Sequence, residues 1–324
     1  VGLGLGASRI ADNSFLTHLA TGREMLSSGI VRDDVFTWTS AGEPVVVQSW
    51  LASLLYAAVD ELAGFHGLRL LTALLGAVLA AAAWRLTRPS ASIVTRVVVM
   101  APLLAIGHVM WTERPLLIAF VLFAAVLLVV EGDGRPGWLA AVGAVWINVH
   151  GSWPLALVYL VARWVGARAD GATGGREIGA LRFLGLGMLV GGVVNPYGPA
   201  LLWFPVELLG RRDVLANVVE WQSPAFDSTW SRAFLVMVLA AMVALMRRPA
   251  WRDALPAMLF IAAALVGRRN IALAALVLVP VLARGLPAVG RLTAARTSDA
   301  IRLGVMAMAG LLVAVPTVAM RGPH

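Results

Sequence analysis

The side chains able to do chemistry in this chain are few, and they stand where apolar runs begin or end. The carboxylates of interest are Asp12, Asp33, Asp34, Glu43, Glu113 and Glu220, six of 18 in the chain, and the histidines are His18, His66, His108 and His150, four of five. Arg114, Arg268 and Arg269, with the amides Asn148, Asn195 and Asn270, occupy the same kind of position. Carboxylates and imidazoles take and give protons, and the planar guanidinium fork grips oxyanions in pairs of hydrogen bonds. There is no cysteine, which excludes disulfide and thiolate chemistry. The histidines are scattered singly, with no pair at metal-ligand spacing. Taken alone, each of these residues is an ordinary helix-end residue, and Trp38, Trp50, Trp111, Trp146, Trp153 and Trp221 have the makings of an interfacial aromatic belt.

The elements that must position them are apolar. Hydrophobic residues make up 60% of the chain and charged ones 14%, with a mean hydropathy of +0.83. A soluble domain carries about 45–50% apolar and 25% charged residues. Stretches such as 115–130 and 301–320 approach the roughly 20 residues that cross a bilayer. These numbers predict an all-α integral membrane protein rather than a soluble one. The net charge of +8 comes from arginine alone, and the arginines sit mostly in short connections. That placement points to membrane topology, not to nucleic acid.

Transmembrane helices are expected near 67–86, 93–110, 114–131, 137–149, 152–167, 178–194, 232–247, 253–267, 271–286 and 301–320. The apolar Val1–Ala7 reads as the tail of a further, first helix lying largely outside this sequence, for about 11 spans in all. Segments 15–28 and 47–64 differ, mixing apolar residues at helical spacing with Thr17, His18, Arg23, Glu24, Gln48, Ser49, Asp60 and Glu61. They read as helices lying on the membrane surface. One domain is expected over 1–324, with 11–66 a long first outer loop and 67–320 a helical bundle. No internal repeat is evident.

Arginine distribution orients the chain. With 8–66 outside, inner connections hold Arg85, Arg88 and Arg96, then Arg135, then Arg163, Arg168, Arg176 and Arg182. Arg247, Arg248 and Arg252 follow, and then Arg284, Arg291, Arg296 and Arg302, so more than half of the arginines face inward. Counting 47–64 as a span would reverse that bias, which supports its interfacial reading. The acids, histidines and amides named above then converge outside. Charges near lipid cost about 2.5–3.5 kcal/mol at a helix centre, so they face a cavity or a partner. Three breaks lie on the same side: Trp146–Pro154, Asn195-Pro196-Tyr197-Gly198 and Arg268-Arg269-Asn270. Non-helical backbone at membrane depth needs protein or water to satisfy it, so an outward cavity is expected.

The order Asp12…His18…Gly22, Asp33-Asp34…Phe36…Trp38, Gln48-Ser49-Trp50-Leu51 and Gly64-Phe65-His66-Gly67 resembles the C-type superfamily of membrane glycosyltransferases. Its members include protein mannosyltransferases and aminoarabinose transferases. Trp146-x-Asn148-x-His150-Gly151, Asn195-Pro196-x-Gly198, Glu220-Trp221 and Arg269-Asn270 also look like bacterial members, and the resemblance covers nearly the whole chain. It departs from them at Ser14, where a second acid often stands, and at Gln48-Ser49, where His-Glu is common.

The resemblance implies transfer of a sugar from a polyprenyl-phosphate carrier to an acceptor outside the cytoplasm, in a bacterial inner membrane. Asp12 would be the general base, with Asp34 as second choice. Arg268, Arg269 and Arg114 would hold the leaving phosphate. His150, His18, Asp33, Asn148, Asn195, Glu220 and Asn270 would complete substrate binding. The partners implied are the lipid-linked sugar, membrane lipids and a glycan, lipid or protein acceptor. No cofactor is implied, with a divalent ion on Asp12 and Glu113 or Glu220 as an alternative. Competing readings are a transporter or flippase with an outward cavity for an anionic lipid or solute, and a non-catalytic transferase-like scaffold.

Overall fold

In the computed structural model, residues 12–210 and 217–288 are described. The expected spans at the start of the chain and at 301–320 lie outside these residues. The described residues are helical, and their only β feature is an isolated bridge between Asp33 and Pro44. The helices are α1 (Asn13–Ser28), α2 (Trp50–Leu86), α3 (Ile93–Met110), α4 (Pro115–Val130), α5 (Leu139–Val149) and α6 (Pro154–Ala169). They continue with α7 (Gly175–Val193), α8 (Ala200–Gly210), α9 (Thr229–Arg247), α10 (Trp251–Val266) and α11 (Ile271–Gly285). By length and composition, α2, α3 and α9 are long and apolar enough to cross a membrane. Shorter apolar helices cover Pro115–Val130, Pro136–Val149 and Ala200–Gly210.

Helix α2 joins the expected surface segment 47–64 to the expected span 67–86. The junction is Gly64, whose φ of 56° and ψ of −157° break the helix. A side chain is strained at that φ, and glycine is not. Helix α8 is an element the sequence reading omitted; it carries Pro205 inside an 11-residue helix and follows the Asn195–Gly198 turn.

The chain forms two compact units. The first contains residues up to Ala82, Trp111–Trp164 and Gly174–Val214. Its tightest packing is between α5 and α7. There Gly187 lies against the backbone of Ala140, and Gly191 against that of Ala144, so the two helices run parallel. These small residues, at a spacing of four on each helix, let the backbones approach. Packing of this kind holds helices together where lipid supplies no hydrophobic drive. Helix α1 seats on the first half of α2 through Phe15, Leu19, Ala52 and Tyr56. The rings of Phe15 and Tyr56 stand 5.3 Å apart, and Gly22 abuts the Ser53 carbonyl.

The second unit contains Ala83–Met110, Val165–Thr173 and the chain from Leu215 onward. Helix α11 is its axis: every residue from Ile271 to Ala283 is buried, against α3, α9 and α10. A helix apolar on all sides belongs in such a central place.

Candidate functional site

Asp12 caps the N-terminus of α1. Its Oδ1 accepts from the Ser14 backbone N–H at 2.9 Å and from Ser14 Oγ at 2.7 Å. Its Oδ2 accepts from Arg114 Nε in an ion pair and faces Thr112 Oγ1 at 3.4 Å. The side chain is only 8% exposed. Burial works against the charged form, but the Arg114 and Ser14 hydrogen bonds prevail and hold this carboxyl below the usual range. Arg114 is placed by α4, whose N-cap it forms, with Pro115 fixing the first helical turn.

Two titratable groups, Glu113 and His18, lie close enough to this pair to feel its charge, and the buried Trp111 precedes it in the chain. Glu113 is buried, and desolvation, then the Asp12 charge, push its pKa up. His18, on α1, is lowered to about 4 by burial and by the Arg114 charge, so it is neutral near pH 7. Its Nδ1 lies 3.4 Å from Ser53 Oγ on α2. Trp111 is buried 3% exposed, with no hydrogen-bond partner for its indole N–H. Asp12, His18, Glu113 and Arg114 therefore form one cluster, although the first two are separated from the last two by about a hundred residues of sequence.

A neighbouring group hangs on the start of α2. Trp50 donates from Nε1 to Asn148 Oδ1 at 2.8 Å, and Asn148 Nδ2 donates to the carbonyls of Ala144 and Gly191. The amide thus ties α2, α5 and α7 together. His150 Nδ1 is 2.9 Å from Ser152 Oγ, which also accepts from the buried Trp146 indole at 3.3 Å. Gln48 sits beside Gly151, buried, with its Oε1 accepting from Ser49 Oγ and its Nε2 unpartnered. The pair Gln48-Ser49 is therefore an internal polar element. Ser14 likewise has a role of its own, as a donor to Asp12.

Other expected site residues serve turns. Asp34 is exposed; it accepts from the backbone of Phe36 and Thr37 and from Thr37 Oγ1 at 2.6 Å, which lowers its pKa. Asp33 pairs with Pro44 in the same loop. Asn195 donates to Gly191, Gly192 and Gly198 and accepts from Tyr197 N, building the turn at α7's end. The first loop docks on that turn: Arg32 donates to the Pro196 carbonyl at 2.8 Å, and Tyr197 Oη to that of Val31 at 2.7 Å.

In the second unit, Arg268, Arg269 and Asn270 form a 3-10 turn between α10 and α11, packed on the turn Val219–Trp221 that holds Glu220. Arg269 lies 4.3 Å over the Trp221 ring and Arg268 5.2 Å from that of Trp230. Asn270 Nδ2 donates to the Ala263 carbonyl. Two guanidiniums are thereby stacked side by side on indole faces. Among the described residues, no group of three or more His, Cys, Asp or Glu is placed to hold a metal ion.

Thr112, Ser53, Ser152 and Tyr56 are not among the candidates that residue types and spacing single out. In the sequence Arg163 stands only as a marker of orientation. Arg163 is 1% exposed, with Nη2 at 2.8 Å from Glu131 Oε1 and Nε at 3.7 Å from Glu177 Oε1. The end of the first unit away from Asp12 thus holds buried, paired charge.

No protein-family model, curated protein or solved structure matches this chain.

Proposed function

We propose that this chain is a polytopic membrane glycosyltransferase of the C type, moving a sugar from a polyprenyl-phosphate carrier to an extracytoplasmic acceptor. Its full span count is about 11, and α1 and the first half of α2 lie on the outer membrane surface. The observation that carries the reading is the Asp12–Arg114 pair, shielded at one end of an apolar bundle with His18 and Glu113 beside it. Ionisable groups gathered in this way in a membrane protein mark a functional site.

The chemistry follows from the pair. In the resting site Arg114 keeps Asp12 ionised but weakly basic. The carrier phosphate competes for the Arg114 guanidinium, a group made for phosphate oxygens. Release from Arg114 raises the basicity of Asp12, which takes the proton of the acceptor hydroxyl. That oxygen bonds to the sugar's anomeric carbon as the bond to phosphate breaks, and polyprenyl phosphate leaves. Glu113, with its raised pKa, is a second proton acceptor within the same cluster.

The test is sugar transfer by membranes carrying the full chain, supplied with a polyprenyl-phosphate sugar. Asp12→Asn is expected to lower transfer by about 10²–10⁴-fold, the usual worth of a general base. Undiminished transfer overturns the assignment. The exposed Thr173 supplies the orientation test, since the reading places it inside. Labelling of Thr173→Cys from outside intact cells would overturn it.

A further inference from the structure

The end of the second unit away from Arg268 and Arg269 holds a different feature. Helix α9 finishes at Arg247, α10 starts at Trp251, and α11 finishes at Gly285. The 15 residues of α11 put this end about 22 Å from the Arg268–Asn270 turn. Two adjoining clefts open here, of about 230 Å³ and 280 Å³, sharing Arg248, Arg284 and Gly285. Arg252 lines the first and Arg247 the second.

The charge balance of these walls is one-sided. Asp253 is the single acid in either lining, and it is consumed by Arg284 through Nε–Oδ2 and Nη2–Oδ1 contacts of 2.9 and 2.6 Å. That pair holds Arg284 in place without removing the charge of its neighbours. Asp170 is nearby, but both its oxygens cap α10 by accepting from the backbone N–H of Trp251 and Arg252. Arg247 touches the Gly285 carbonyl through Nε at 3.3 Å and is otherwise turned to the surface. Arg248 is exposed on the rim. Among the described residues, Arg247, Arg248, Arg252 and Arg284 therefore outnumber the nearby acids Asp253 and Asp170 around this concave space, which keeps an excess of positive charge.

We propose that this arginine-lined cleft binds a phosphate-bearing anion. Guanidiniums match phosphate oxygens in geometry as well as charge, and the clefts have room for a phosphate group with its waters. The surroundings favour a phospholipid headgroup as the source. Leu235, Leu239, Met242 and Met246 form an exposed stripe at helical spacing on α9 that runs up to Arg247 and Arg248. Trp251, 54% exposed at the rim, is the residue type that settles at headgroup depth. A headgroup in the cleft would leave its acyl chains along that stripe, and basic pockets between helices are a known form of lipid recognition.

Full-length protein in a neutral detergent tests this by thermal unfolding and titration. The probes are phosphatidylglycerol and phosphatidylcholine, each in mixed micelles, and inorganic phosphate. Stabilisation by phosphatidylglycerol and not by the other two supports a lipid headgroup site. Stabilisation by inorganic phosphate as well supports the same site for a free anion. The double variant Arg247→Gln/Arg248→Gln is expected to weaken the response about tenfold, whereas Arg182→Gln, an exposed arginine of the first unit, leaves it unchanged. No response to either anion, or equal weakening by both variants, overturns the site.

Discussion

Arg114 donates through Nε to the Asp12 carboxylate across 102 positions of sequence, joining the first turn of α1 to the first turn of α4. Asp12 thus has two separable duties, as an N-cap and as the negative half of an ion pair. Asp12→Asn keeps an oxygen for the Ser14 N–H, because asparagine caps as well as aspartate, but deletes the charge. Asp12→Ala removes both. The alanine variant is expected to unfold with about 1 kcal/mol less stability than the asparagine variant, read from thermal melts of the purified protein in detergent. Equal melting of the two would mean that the cap contributes nothing.

His18 sets a pH dependence. Its folded pKa of about 4 lies below the ordinary 6.5, so between these values the unfolded chain binds a proton that the folded chain refuses. Stability is therefore unaffected above pH 6.5 and is lost as pH falls toward 4. The full effect is on the order of 3 kcal/mol. His18→Gln should flatten the fall in melting temperature over that window; an unchanged pH profile would show that burial does not hold this imidazole neutral.

Helix existence was legible because apolar runs and their breaks report it directly. The expected 93–110 coincides with α3, and 271–286 with α11 to within a residue. Helix α8 was missed because Pro199 and Pro205 disrupt the run that would have announced it. For the site, residue types were readable but their pairing was not. Asp12 and Arg114 were both singled out, yet nothing in their spacing says that they touch. Asp34, expected as a second base, is engaged by Phe36 and Thr37, an aspartate turn that side-chain chemistry alone does not distinguish from a free carboxylate. Arg163 reads from the sequence as a topology signal because its partners Glu131 and Glu177 stand 32 and 14 positions away, and nothing in that spacing announces the pairing.

That buried group makes a sharp prediction. Arg163 is 1% exposed and faces Glu131 and Glu177, whose side chains are 11% and 7% exposed. Removing the cation takes from two mostly buried carboxylates the guanidinium that both of them face. Arg163→Met is expected to cost about 3–5 kcal/mol. Adding Glu131→Gln to that variant should recover part of the loss by removing one of the two buried negative charges. The double-mutant cycle, measured by thermal unfolding, checks this; additive losses would mean that the pair is not coupled.

The α5–α7 contact gives the last prediction, and it depends on glycine as spacer rather than as a flexible hinge. A Cβ at Gly187 would stand 1.9 Å from the Ala140 carbonyl oxygen, and one at Gly191 2.5 Å from that of Ala144. Both neighbours are backbone, so the helices must separate to admit a methyl group. Gly185, two residues earlier on α7, has nothing within 4 Å of the same atom. Gly187→Ala is therefore expected to destabilise the first unit by about 1–3 kcal/mol, the range for overpacking. Gly185→Ala should be neutral or stabilise by up to about 1 kcal/mol through helix propensity. Separation of α5 from α7 would also strain the Asn148 bond to the Gly191 carbonyl and, through Trp50, the start of α2. Under the proposed transferase reading, Gly187→Ala should accordingly reduce sugar transfer as well as melting temperature, whereas Gly185→Ala changes neither by much; the reverse ranking would rule out this close contact as the element that positions the polar end of the first unit.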